Sequence, residues 1–217
     1  MLPHLGHQSL YDEADRAFEE APAWKSPPNL GVKTVVRDYV CPLDSRLSSP
    51  ITDDRGYTAA YTSFVGILGD AQGSSSGPRK PGANFGDSAG HGVRFEQITD
   101  GTGQTILFGE SPPPGLLFGG SWYSDDLPPE LAGRNLQWRH GISMFVRKPN
   151  TGSCRGPFRF APGRLRNLCD SHHLWSLHPG GANFAFADGS VRYLSYSADS
   201  ILGALATRDG GEVVELP

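Results

Sequence analysis

The segment CDSHHLWSLH places Cys169, His172, His173 and His178 within ten residues, a supply of thiolate and imidazole donors of the kind zinc takes. Structural zinc sites usually combine two ligand pairs, each fixed by its own turn. Here one run supplies everything and no CxxC knuckle accompanies it, so surface and hydrogen-bonding roles account for these histidines better. Asp100-Gly101, Asp188-Gly189 and Asp209-Gly210 set aspartates in glycine-rich loops, where their hard oxygens suit calcium. The EF-hand spacing is missing, and turn chemistry by itself explains Asp-Gly pairs. Asp209 and Glu212, which flank a diglycine bend, are the best calcium candidates, and no other cofactor is expected. The acidic pairs Asp53-Asp54 and Asp125-Asp126 have the residue types of glycoside hydrolysis but read as solvated loop charge. A GxSxG elbow, an HExxH helix, a phosphate-cradling GxxxxGK[ST] loop and a strand-to-helix GxGxxG are all absent. The expectation is a protein that is not an enzyme, with a hydrolase as the weakest reading.

Exposed aromatic residues offer another chemistry, since rings can stack on sugars. Trp122, Tyr123, Trp138 and Trp175 would be the platforms of a secreted carbohydrate- or ligand-binding module, the alternative function, although core packing is the commoner fate of such rings. Charge narrows the partners. Lysine plus arginine (19) against aspartate plus glutamate (23) leaves a net charge of −4, and no basic block occurs, so nucleic acid is not expected as a partner. No stretch approaches the roughly 20 apolar residues that span a bilayer, and the first residues lack the regions of a signal peptide. The chain therefore reads as a soluble piece, and its opening suggests that the natural start lay further upstream.

Glycine (28) and proline (18) make up about a fifth of the 217 residues, well above the roughly 12% typical of globular chains, so turns must be many. The pattern SLYDEADRAFEE predicts an amphipathic helix over 9–20, with Ser9 as cap and Leu10, Ala14, Ala17 and Phe18 on one face. VKTVVRDYVC suits either a strand or a short helix, YTAAYTSFVGILGD a pair of strands, and TILFGE a strand after the Asp100-Gly101 turn. ANFAFADGSVRYLS is two alternating runs joined by Asp188-Gly189, which predicts a hairpin with a two-residue type I′ turn. A short helix capped by Ser197, with Ile201, Leu202 and Leu205 on its apolar face, should follow. Segments 70–90 and 111–135 read as loops, and runs of strands with helices at the ends favour an antiparallel α+β arrangement. Of three cysteines, Cys154 and Cys169 flank a loop that one disulfide would order, while the alternative of two unpaired thiols leaves that loop unexplained. Cys41 is then single and buried, or one half of a pair whose partner is absent.

HPGGANFAFADG holds His178, nine intervening residues and Asp188-Gly189. It resembles the prepilin-type processing-associated domain named for that His, nine residues, Asp-Gly motif, within a large bacterial family of prepilin-like proteins of unknown function (domain of unknown function 1559). LPHLGHQSLYDEA, VVRDYVCPLDS, YTSFVGILGD, ITDGTGQTILFGE and ATRDGGEVV resemble further segments of that family, in the family's order, from Leu2 to Val214. Gly6-His7 and Gly103-Gln104 depart from it.

The resemblance implies an α+β head of the type IV pilin or pseudopilin kind, one soluble domain over 1–217 with an antiparallel sheet, short helices and long outward loops. It implies an extracellular or cell-surface place and self-assembly with pilin-like subunits through an N-terminal apolar helix, the part that would meet the membrane and that family members carry ahead of this region. Cys41 would then have lost a partner. Major pseudopilins bind calcium in a C-terminal loop, which directs that expectation to Asp209 and Glu212. Ten positions along one straight strand span about 33 Å, so His178 and Asp188 are expected as two structural fixtures, with Gly189 completing the turn.

Overall fold

The computed structural model describes residues 1–21, 27–52, 56, 58–70, 93–113, 121–123, 143–147, 150 and 153–215. The expected loop 70–90, apart from Asp70, lies outside them, as do Asp53, Asp54, Asp125, Asp126 and Trp138. The architecture is α+β, as expected of a pilin-like head.

Helix α1 (Gln8–Glu20) follows a 3-10 turn that ends at Gly6 in the left-handed region (φ 80°). That turn starts the helix one residue ahead of Ser9, so the N-cap is His7 and Ser9 lies inside the helix. The His7 ring bonds Asp38 at 2.9 Å. Ala14 and Ala17 are buried and Leu10 is partly so, whereas Phe18 is 47% exposed and lies against the Tyr123 ring. The segment of uncertain type resolves into 3-10 turns, Leu30–Lys33 and Arg37–Tyr39. Strands β1 (Ile51–Thr52) and β2 (Thr58–Ala59) form a small antiparallel ribbon. Leu2, Val32, Leu47, Ala60, Trp122 and Tyr123 join these elements in one apolar cluster.

The principal sheet has the order β5-β3-β4-β6-β7, from β3 (Phe64–Asp70), β4 (Ile106–Glu110), β5 (Ser143–Val146), β6 (Gly181–Phe186) and β7 (Val191–Ser195). It is mixed and not wholly antiparallel, because β5 runs parallel to β3. Parallel neighbours need a long connection, and the chain runs from β3 to β5 through residues 71–142, by way of β4, with residues 111–142 as its last part. Within this segment, residues 111–113 and 121–123 are buried, which corrects the expectation of an outward loop over 111–135 for those residues.

Alternation gives the sheet two different faces. Val65, Ile67, Ile106, Met144, Val146, Ala182, Phe184, Phe186 and Leu194 point into the larger core. Helix α2 (Asp199–Leu205) covers that side with Leu202 and Leu205, each contributing roughly 1.5–3 kcal/mol by burial. Its N-cap is Ala198, not Ser197, since a 3-10 turn (Tyr196–Ala198) leads straight into the helix. The Asp199 carboxylate instead accepts from the Phe160 N–H at 2.7 Å and from Arg159 at 3.0 Å. The opposite face carries Phe64, Phe108, Glu110, Asn183, Ala185, Val191 and Tyr193. Val191 is 69% exposed on the edge strand. Among the described residues no helix is long and apolar enough to cross a membrane.

The hairpin lies where its sequence places it, but the turn differs. Phe186 N–H donates to Ser190 C=O and Gly189 N–H to Phe186 C=O, so the loop is the three residues 187–189. Only Gly189 has positive φ (84°), whereas a type I′ turn needs it at both central residues. Asp188 supplies a side-chain acceptor in place of a second left-handed residue.

Candidate functional site

Cys41, Glu110 and His178 come from three segments far apart in the chain and converge at the edge of the open sheet face. Each is held by its own backbone. Cys41 follows the Arg37–Tyr39 turn, and its N–H donates to Ser63 Oγ at 2.9 Å, which ties the Cys-Pro corner to the start of β3. Glu110 ends β4, where alternation sets it on the same face as Phe108. Its side chain is only 2% exposed, and its Oε2 accepts from the Asn183 N–H at 2.7 Å and from Asn183 Nδ2 at 3.3 Å. His178 precedes β6, where its N–H donates to Ser176 Oγ and that hydroxyl donates to Gly181 C=O at 2.6 Å.

The three side chains meet at one nitrogen. His178 Nε2 lies 3.3 Å from Glu110 Oε1 and 3.6 Å from Cys41 Sγ. A nucleophile relay uses the two ring nitrogens differently, one toward the nucleophile and the other toward the orienting carboxylate. Both partners at Nε2 do not make such a relay. Thiol, imidazole and carboxylate around one point are instead the donor types that hold a transition metal. Burial pushes the Cys41 thiol above its ordinary pKa, the Leu43 N–H opposes this, and Glu110 adds to it. Beside the cluster opens a cleft of about 400 Å³ lined by Pro42, Phe64, Phe108, Ala185 and Val191.

The remaining expected residues are distributed differently. Cys154 and Cys169 form a disulfide with Cα atoms 5.4 Å apart, and this removes Cys169 from any zinc set. His172 is buried against Phe158, and His173 bonds Asp170 at 3.2 Å, so of the four clustered residues only His178 reaches a three-donor group. Closing a 15-residue separation predicts a loss of about 3 kcal/mol when the pair is replaced by alanine, measured as a lower unfolding midpoint in denaturant. Asp209 and Glu212 are exposed, and Thr207 Oγ1 donates to Glu212 at 3.3 Å. The carboxylate drawn into their loop is Asp100, which accepts from the Gly210 and Gly211 N–H groups at 2.8 Å each. Trp122 and Tyr123 are buried, the first donating to Thr34 C=O and the second to Asn29 Oδ1. Trp175 is 2% exposed and lies against Gly163.

Asp188 sits at the far end of β6 from His178 and meets other partners. Its Oδ1 accepts from the Ser190 N–H at 2.8 Å, its Oδ2 from Arg192 at 3.3 Å, and its own N–H donates to Thr102 C=O. Hydrogen bonding from Ser190, then the charge of Arg192, holds its carboxyl below the ordinary value of 3.8. A lowered folded pKa gives stability that is present above the unfolded value and lost as pH falls through the folded one. The stability difference between wild type and Asp188→Asn should thus be constant near neutrality and shrink below about pH 4, as followed by acid-dependent urea unfolding.

These contacts join distant segments in pairs. The CPLDS and YTSF segments meet through Cys41 and Ser63, the ITDG and RDGG segments through Asp100 and the diglycine, and the FGE and HPGG segments through Glu110 and His178. Residues 1–200 match a family model described as a protein of unknown function, DUF1559. The chain belongs to that family. No curated protein and no solved structure matches it. Several of the segments that resemble the DUF1559 family thus carry side chains that join distant parts of the chain.

Proposed function

We propose that this DUF1559 chain is a non-enzymatic, pilin-like or pseudopilin-like domain that acts outside the cytoplasm in filament assembly or surface interaction. The observation that carries the reading is the pairing of the family's motif segments. Asp100, Asp188 and Ser63 each hold backbone N–H groups, a framework role that leaves the surfaces free to vary. The Cys154–Cys169 disulfide supports an oxidising compartment. The half-open apolar face around Val191 and Tyr193 supports packing against further subunits, beside the N-terminal helix through which the family resemblance implies assembly. Burial of Trp122, Tyr123 and Trp175 weighs against sugar stacking by those rings.

Labelling of intact host cells with a membrane-impermeant amine reagent, followed by cross-linking, tests this. The expected result is a labelled chain that cross-links into multimers of itself or of pilin-like subunits. Labelling only after lysis would overturn the location, and a chain that stays monomeric under cross-linking would overturn the assembly.

A further inference from the structure

We propose that Cys41, Glu110 and His178 form a binding site for one divalent transition-metal ion of the zinc class, independently of any role in assembly. As a hydrogen-bonded set the thiol and the carboxylate compete for one nitrogen. A single imidazole nitrogen has either one proton or one lone pair, yet Nε2 faces both a thiol and a carboxylate. If it donates to Glu110 it has nothing to offer the thiol proton, and if it accepts from Cys41 it turns a lone pair toward the carboxylate. A cation at the centre of the three satisfies all of them at once.

Two of the three separations agree with that centre. Zinc bonds of about 2.3 Å to sulfur and about 2.0 Å to nitrogen and oxygen, at tetrahedral angles, place sulfur and nitrogen about 3.5 Å apart and nitrogen and oxygen about 3.3 Å apart. The separations here are 3.6 Å for Cys41 Sγ to His178 Nε2 and 3.3 Å for His178 Nε2 to Glu110 Oε1. The third pair, Cys41 Sγ and the Glu110 carboxylate, lies within 4.8 Å, and binding must hold it at the roughly 3.5 Å that a shared ion requires.

The surroundings help to hold the ligands in place. Asn183 occupies Glu110 Oε2 and so turns Oε1 to the cluster, while Ser63 and Ser176 hold the backbone of Cys41 and His178. Two of the ligands are almost fully buried, and the His178 side chain is 30% exposed on the cleft side. Three protein ligands leave a fourth position for water or an incoming donor atom, which the cleft admits. Binding displaces the thiol proton of Cys41 to solvent and forms the sulfur–metal bond, with no change of oxidation state.

The test uses the full, untagged chain without reductant, titrated with Co²⁺ and then with Zn²⁺. Because Cys154 and Cys169 are joined, a thiolate-to-cobalt charge-transfer band can come only from Cys41. The expected result is saturation at one equivalent with that band, and its displacement by Zn²⁺. Cys41→Ala should abolish the band, and both Cys41→Ala and His178→Ala should weaken Zn²⁺ binding by at least about 100-fold, since even outer-shell partners are worth 10–100-fold. Absence of a stoichiometric band in the wild-type chain overturns the proposal whatever the variants do. Zn²⁺ binding of undiminished affinity in folded Cys41→Ala overturns it equally. The purified chain reports on metal whether or not it assembles in the cell, so the two readings fail separately.

Discussion

Gly181→Ala is expected to cost about 4 kcal/mol or more, a drop of roughly 8–16 °C in unfolding temperature for a chain of this size. A Cβ at this position would lie 2.0 Å from the Leu194 carbonyl oxygen, 2.8 Å from Ser195 Cα and 2.9 Å from Leu194 C. These are backbone atoms of the partner strand, so no side-chain rotation relieves the clash and β7 itself must move. Gly181 pairs with Ser195 at the start of β6, and the same movement pulls on the Ser176 hydroxyl bond to Gly181 C=O. The adjacent Gly180 separates two causes. Its φ of 86° penalises a side chain through backbone strain, but a Cβ there meets only the Tyr193 hydroxyl at 3.4 Å. Gly180→Ala should therefore be destabilising by about 1–2 kcal/mol, clearly less than its neighbour. Thermal unfolding of both variants checks the pair; equal losses would contradict the close approach.

Phe184→Ala should remove about 4 kcal/mol, within the range for deleting a buried aromatic ring. Phe184 is 1% exposed, meets the Phe160 ring edge-on at 5.3 Å, and fills the space over Gly109. Val191, across the hairpin and on the other face, is 69% exposed, and its replacement by alanine should change stability by no more than about 0.5 kcal/mol. The contrast tests the register, because a slip of one residue would exchange the two faces. Urea unfolding midpoints of the two variants give the answer. A large loss at Val191 with a small one at Phe184 would mean that the hairpin pairs differently.

Local pattern makes this hairpin legible in the amino-acid sequence. Alternation over ANFAF and VRYLS marks two strands, and the same holds for TILFGE and for the helical spacing of Leu10, Ala14 and Ala17. Pattern does not supply whatever depends on distant chain. The β-branched run around Val35 and Val36 suits strand or short helix, and it is neither: Thr34–Val36 is a short extended link between two 3-10 turns, packed with Leu47 and Trp122 in one apolar cluster. Ser9 and Ser197 have the chemistry of caps, but preceding 3-10 turns start their helices by another route. The parallel placement of β5 depends on a crossover that no local signal announces.

The candidate site shows the same division. The Cys154–Cys169 bridge follows from two cysteines flanking one loop, and Asp188-Gly189 from turn chemistry. Cys41, Glu110 and His178 have no common spacing, being brought together by β3, β4 and the approach to β6. One signal is present: alternation in TILFGE sets Glu110 on a face with Phe108, an acid at the end of an apolar strand that needs a buried partner. A histidine cluster close in sequence points toward zinc, while the histidine that meets other donors does so with residues far away.

The assembly role is tested most directly in a host carrying the natural gene, by immunogold electron microscopy of sheared surface material with mass spectrometry of the same fraction. Filaments decorated along their length and containing this chain are the expected result. Recovery of the chain only as a soluble monomer, with filaments undecorated or absent, would contradict the pilin-like role.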